Sequence, residues 1–76
     1  MPTGGESPRL DSAQALGEAI RSRRKELQLT QGELAAAANT SLRFVSEVER
    51  GKSTARLAGV LRLLAALGLS LHLRPR

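Results

Sequence analysis

The chain has 76 residues, with 12 Lys+Arg against 7 Asp+Glu and a formal net charge of +5 at pH 7. That length bounds one domain with a small core, and the charge favours polyanionic partners or an anionic membrane surface. With no cysteine and a single aromatic residue, Phe44, the composition excludes disulfides, thiolate metal sites, cysteine nucleophiles and aromatic platforms for single strands.

Residues 1–10, MPTGGESPRL, have no periodic apolar face and read as a disordered arm. No basic run leads into an apolar core there, so no signal peptide is expected. A first helix opens at Asp11 or Ser12, either of which can cap it, and carries Leu16, Ile20 and Leu27 at helical spacing. Arg21, Arg23, Arg24 and Lys25 cluster on its other faces, as a solvated surface or as phosphate contacts. Thr30 with Glu33 makes a capping box, which predicts a second helix over 31–38. Asn39 tolerates the left-handed region and allows a sharp turn. Ser41 then caps a third helix, with Val45 and Val48 facing inward and Gly51 closing it. Thr54 is the expected cap of a fourth, with Leu57, Val60, Leu61 and Leu64 as its apolar face and Gly68 as its stop.

Beyond Gly68, the residues Leu69, Leu71 and Leu73 alternate with Ser70 and His72, the period of a strand with one apolar face, and Pro75 ends it. No second alternating run exists to pair with it, so its partner is expected outside the chain. Residues 57–73 are leucine-rich, but Arg62, Gly68, Ser70 and His72 interrupt them and they fall short of the about 20 residues that a membrane span needs. With Arg56 and Arg62 the segment also reads, as an alternative, as an amphipathic membrane-surface element. His72 has no second ligand or nucleophile nearby, and no glycine-rich phosphate loop or carboxylate constellation appears. No enzyme, metal or cofactor is expected.

Two short helices joined by a tight turn have the proportions of a helix-turn-helix, in which the first residues of the second helix touch base edges in the major groove. The words LTQGELA (29–35) and VSEVERGK (45–52), separated by AAANTSLRF, strongly resemble the lambda/434-repressor-like DNA-binding family, the Cro/CI or XRE type. The resemblance implies an all-α domain of four to five helices over 11–68, followed by a C-terminal dimerisation strand and tail over 69–76, in which the short strand Leu69–Leu73 pairs across a dimer. Within the family, RGKSTARLAGVLRLLAALGLSLHL is most similar to the HipB-type antitoxins, which partner a HipA-type kinase toxin and repress their own operon. Asn39 stands where Gly is usual, Thr40 where an apolar residue is usual, and Ser53 where this branch often has Pro.

Carried over by resemblance, the groove-facing positions fall on Ser41, Leu42, Arg43, Ser46 and Glu47. Arg43 is the sharpest candidate, because a guanidinium can bond guanine O6 and N7 together, worth roughly 1–3 kcal/mol of discrimination; a phosphate contact or a solvated side chain is the alternative. Glu47 suits a cytosine amine or the exclusion of wrong sequences. Gln31 resembles the family's phosphate clamp, and Arg50 and Lys52 are further phosphate partners. Arg24 and Glu49 are implied as a structural ion pair, and Phe44 reads as a packing residue. Leu63, Leu67, Leu69, Leu71 and Leu73 are the expected dimer contacts. The function implied is a homodimeric repressor of a palindromic double-stranded DNA operator in a bacterial cytoplasm, with a HipA-type toxin as second partner. A phage-type or metabolic repressor without a toxin is the alternative.

Overall fold

The computed structural model describes residues 9–75. Four α-helices follow in chain order, α1 Ala13–Glu26, α2 Gln31–Ala37, α3 Leu42–Glu49 and α4 Leu57–Ala66, with no strand among the described residues. Most of the arm expected over 1–10 lies outside the described residues; Arg9 and Leu10 are exposed.

The first three helices start where a hydroxyl can bond a free amide. The Ala15 N–H donates to Ser12 Oγ at 3.0 Å and the Phe44 N–H to Ser41 Oγ at 3.0 Å. At α2 the capping box closes both ways: the Glu33 N–H reaches Thr30 Oγ1 at 3.0 Å, and the Thr30 N–H reaches Glu33 Oε1 at 2.8 Å. Each contact satisfies a donor that a helix end otherwise leaves unpaired. Thr54 does not cap α4. Arg56 stands at that N-cap with no side-chain bond. The reason is local: the Ala55 N–H turns back to the Lys52 carbonyl at 3.4 Å and Ala55 is half-buried against the core, so the chain becomes helical only beyond Arg56.

All four helices end in the same double turn. After the last helical residues, the N–H groups of Gln28, Asn39, Gly51 and Gly68 reach the carbonyls of Lys25, Ala36, Val48 and Ala65. Those of Leu29, Thr40, Lys52 and Leu69 reach the carbonyls of Arg24, Ala35, Glu47 and Leu64. This is the Schellman pattern, which requires a left-handed residue at its centre. The φ values are 58° at Gln28, 54° at Asn39, 88° at Gly51 and 70° at Gly68. Asn39 tolerates this as its chemistry predicts, whereas Gln28 adopts it against the preference of its side chain.

Ile20, Leu34, Ala35, Ala38, Val45, Val48, Val60, Leu63, Leu64 and Leu67 form the core. Two expectations for α4 are corrected here. Leu57 and Leu61 are exposed, and the inward stripe is Val60, Leu63, Leu64 and Leu67, at i, i+3, i+4 and i+7. Leu63 and Leu67, expected at the dimer interface, are 0% and 1% exposed inside their own chain and present no surface to a second one. Leucines occupy so much of α4 that periodicity alone did not single out the stripe that packs. Leu27 is also exposed instead of lying with Leu16 and Ile20.

Past α4, Leu69 is half-buried against the core, whereas Leu71 and Leu73 are exposed. Arg23 Nε donates to the Leu67 carbonyl at 3.0 Å and so ties the end of α4 to α1. Residues 69–75 carry no secondary structure in the single chain, and the pairing expected of them is between two chains. Among the described residues no helix is long and apolar enough to cross a membrane.

Candidate nucleic-acid interface

The α3 helix is gripped from three sides, and glycine makes two of the contacts possible. A Cβ at Gly17 on α1 would lie 2.3 Å from the Val48 carbonyl oxygen, so only glycine lets α1 come this near the end of α3. A Cβ at Gly59 on α4 would lie 2.5 Å from Phe44 Cζ; the ring of Phe44 occupies that space and packs on α4. On the third side, Val45 and Val48 close onto the core they share with α2 residues Leu34 and Ala35.

The C-terminal end of α3 is also fixed by charge. Arg24 Nε donates to Glu49 Oε2 at 2.7 Å and Arg24 Nη2 to Glu49 Oε1 at 3.1 Å, a bidentate pair in which both residues are buried. Arg24 Nη1 continues to the Leu29 carbonyl at 2.8 Å, and Gln31 Nε2 donates to Glu49 Oε1 at 3.0 Å. One network thus joins α1, the loop after it, α2 and α3. Burial pushes the Glu49 carboxyl up, but the hydrogen bonds of Arg24 and Gln31 and the positive charges of Arg24 and Arg21 outweigh it, and the group sits below the usual glutamate value. The hydrogen bond to Glu49 raises Arg24 in turn, against the effect of burial. A pair of this kind adds little net stability, but breaking it is costly.

The N-terminal end of α3 stands in the open. Ser41, Leu42 and Arg43 are exposed, Ser46 and Glu47 are half-buried, and Arg50 and Lys52 are exposed just beyond the helix. The Arg43 side chain is 86% exposed. Glu47 lies between two cations, with Oε2 at 3.4 Å from Arg43 Nε and Oε1 at 3.3 Å from Lys52 Nζ. The hydrogen bond from Lys52 is the main influence that lowers the Glu47 carboxyl, and the charges of Lys52 and Arg43 add to it against a smaller desolvation effect. Ser41 spends a lone pair on its cap and keeps its hydroxyl proton for a further acceptor. Gln31, half-buried, gives one amide proton to Glu49 and keeps the other.

Sequence reasoning named these positions but missed three linkages. Nothing local signalled that Gln31 belongs to the ion-pair network, that Arg23 is drawn off the solvated face of α1 to the Leu67 carbonyl, or that Lys52 folds back onto Glu47. The contact at Gly17 was also unread, although a glycine inside a helix is a cue to close approach. His72 is exposed, with Ser70 Oγ at 3.0 Å from its Nε2. No group of three or more His, Cys, Asp or Glu side chains able to hold a metal lies among the described residues.

Comparison with known proteins gives this geometry a lineage. A model of the helix-turn-helix family matches residues 20–73. The chain is 40% identical over 65 residues to the HTH-type transcriptional regulator y4mF of Sinorhizobium fredii, covering 86% of each chain. Among solved structures it is similar to a chain of the HipA-HipB-O2-O3 complex, with a TM-score of 0.84 at 25% identity over 91% of this chain and 97% of the other. It is also similar to the clp gene regulator ClgR of C. glutamicum, with a TM-score of 0.72 at 35% identity over 87% and 85%. The chain belongs to the XRE-type helix-turn-helix family of transcriptional regulators.

Proposed function

We propose that the chain is a homodimeric, sequence-specific repressor that inserts the first turn of α3 into the major groove of a palindromic operator. Arg43, Ser46 and the Ser41 hydroxyl face base edges, Leu42 supplies apolar contact, and Gln31, Arg50 and Lys52 hold phosphates. The observation that carries this reading is the contrast along α3: an exposed, capped first turn on a rod whose far end is locked by the buried pair of Arg24 and Glu49. Rod and dock are built as one rigid body, so little freedom is lost when the exposed turn meets a duplex.

The dimer follows from the tail. Leu69, Leu71 and Leu73 pair with the same residues of a second copy as a two-stranded ribbon, which covers the otherwise exposed Leu71 and Leu73. Two recognition helices then stand about 34 Å apart, one turn of DNA. The similarity to a chain of the HipA-HipB-O2-O3 complex supports a second role, as an antitoxin that binds a HipA-type kinase toxin while it occupies the operator.

Selection from random duplexes at several salt concentrations tests the reading. A palindrome with half-sites about 10 bp apart is expected, with a salt slope reporting the phosphate contacts. A pool with no enriched sequence would refute it. Ending the chain after Gly68 is expected to give monomers with much weaker operator binding; a dimer persisting in sedimentation would exclude the ribbon. Co-purification with a kinase encoded beside this gene separates an antitoxin from a repressor that acts without a toxin.

A further inference from the structure

Arg43, Glu47 and Lys52 form a connected triad along the outward face of α3. The first two lie one helical turn apart on the same face. Lys52 lies outside the helix and is brought back by the left-handed turn at Gly51: its N–H reaches the Glu47 carbonyl at 3.1 Å while its Nζ reaches the same residue's Oε1 at 3.3 Å. The Glu47 side chain is 21% exposed, and each of its oxygens faces a different cation.

We infer that Glu47 is a positioning residue for Arg43, aimed in turn by Lys52, and that it sets which base Arg43 selects instead of reading a base itself. This rests on the DNA-reading role proposed for α3. A guanidinium has five N–H donors, and a carboxylate held on Nε leaves the two terminal nitrogens of this exposed side chain free as a fork. That fork matches the paired acceptors O6 and N7 of guanine. An arginine this exposed otherwise samples many rotamers; a tether on Nε narrows them before DNA arrives.

Lys52 makes the arrangement compatible with a phosphate-lined groove. Two cations against one carboxylate leave the triad net positive, so Glu47 brings its orienting effect without an unbalanced negative charge. In the other role expected of Glu47, accepting from a cytosine amine, that amine would have to share carboxylate oxygens that each already face a cation. Exposed pairs like these contribute little to folding stability, so a change in base choice caused by breaking them is separable from a change in folding.

The test is a base-preference cycle on duplexes selected by the wild-type chain, using Arg43→Ala, Glu47→Ala, Arg43→Ala with Glu47→Ala, and Lys52→Ala, each checked for an unchanged unfolding midpoint. Arg43→Ala is expected to lose about 5- to 150-fold of preference at one base pair per half-site. Glu47→Ala is expected to lose about threefold or more at that same base pair, and to add nothing once Arg43 is gone. Lys52→Ala is expected to weaken binding to all duplexes and also to flatten preference at that pair. Glu47→Ala acting at a different base pair, keeping its effect without Arg43, or leaving preference intact would each overturn the inference while the DNA-reading role stands. A wild-type chain that selects no site overturns both.

Discussion

Glu47 and Glu49 stand two residues apart in the last turn of α3 and face opposite sides of the helix, one into the domain and one outward. Glu49, on the buried face, is bonded by Arg24 and Gln31 and ties three helices together. Glu47, on the outward face, is paired among the described residues with the exposed cations Arg43 and Lys52, on the surface of a single helix and the turn after it. A short helix can be both rigid and available when the interactions that hold it are segregated to one face. The buried face sets where α3 points, and the outward face is left to chemistry.

The sharpest way to break this contrast is Glu49→Ala, which strands a buried guanidinium. We expect a loss of about 3–5 kcal/mol in urea unfolding, with much of it recovered when Arg24→Met and Glu49→Leu are combined. A loss within experimental error would mean that the pair does not anchor α3. Acid probes the same bond without mutation. Because the folded Glu49 titrates below its unfolded value of 4.5, its contribution is present above that pH and fades as pH falls through the lower folded value. The wild-type melting temperature should therefore fall on acidification below about pH 4.5 more steeply than that of Glu49→Gln. Equal slopes would count against it.

A smaller steric effect is expected from Gly17→Ala, whose methyl meets the Val48 carbonyl; a cost of about 1–3 kcal/mol follows from overpacking a close helix contact. On the outward face, Arg43→Ala should leave the unfolding free energy within about 0.5 kcal/mol while removing preference at one base pair per half-site. If it destabilised the fold as Gly17→Ala does, the division between the two faces of α3 would dissolve.

What the sequence made legible was mostly what a few neighbouring residues decide. Ser12, Thr30 and Ser41 cap helices through amides three positions ahead, and Asn39 and Gly51 turn the chain within one peptide; all of these read directly. Thr54 carried the same local signal, yet the half-buried Ala55 delayed the helix past it. The apolar stripe of α4 was misassigned because leucines surround that helix, and only packing against α1 to α3 decides that Leu63 and Leu67 go inward while Leu57 and Leu61 stay out. The pairing of Arg24 with Glu49 spans 25 residues and came from family resemblance, not from spacing. Gln31 joining that pair, and Lys52 returning to Glu47, depend on how helices and turns meet in space, which a linear pattern does not encode.

The central claim is that α3 offers its first turn outward to a duplex. Amide chemical shifts followed by NMR during titration with a selected duplex test it most directly. The account predicts that the largest changes fall on Gln31, Ser41, Leu42, Arg43 and Ser46, with Leu57 and Leu61 on the outer face of α4 unmoved. Changes centred on Leu57, Leu61 and Arg62, with the first turn of α3 silent, would contradict it.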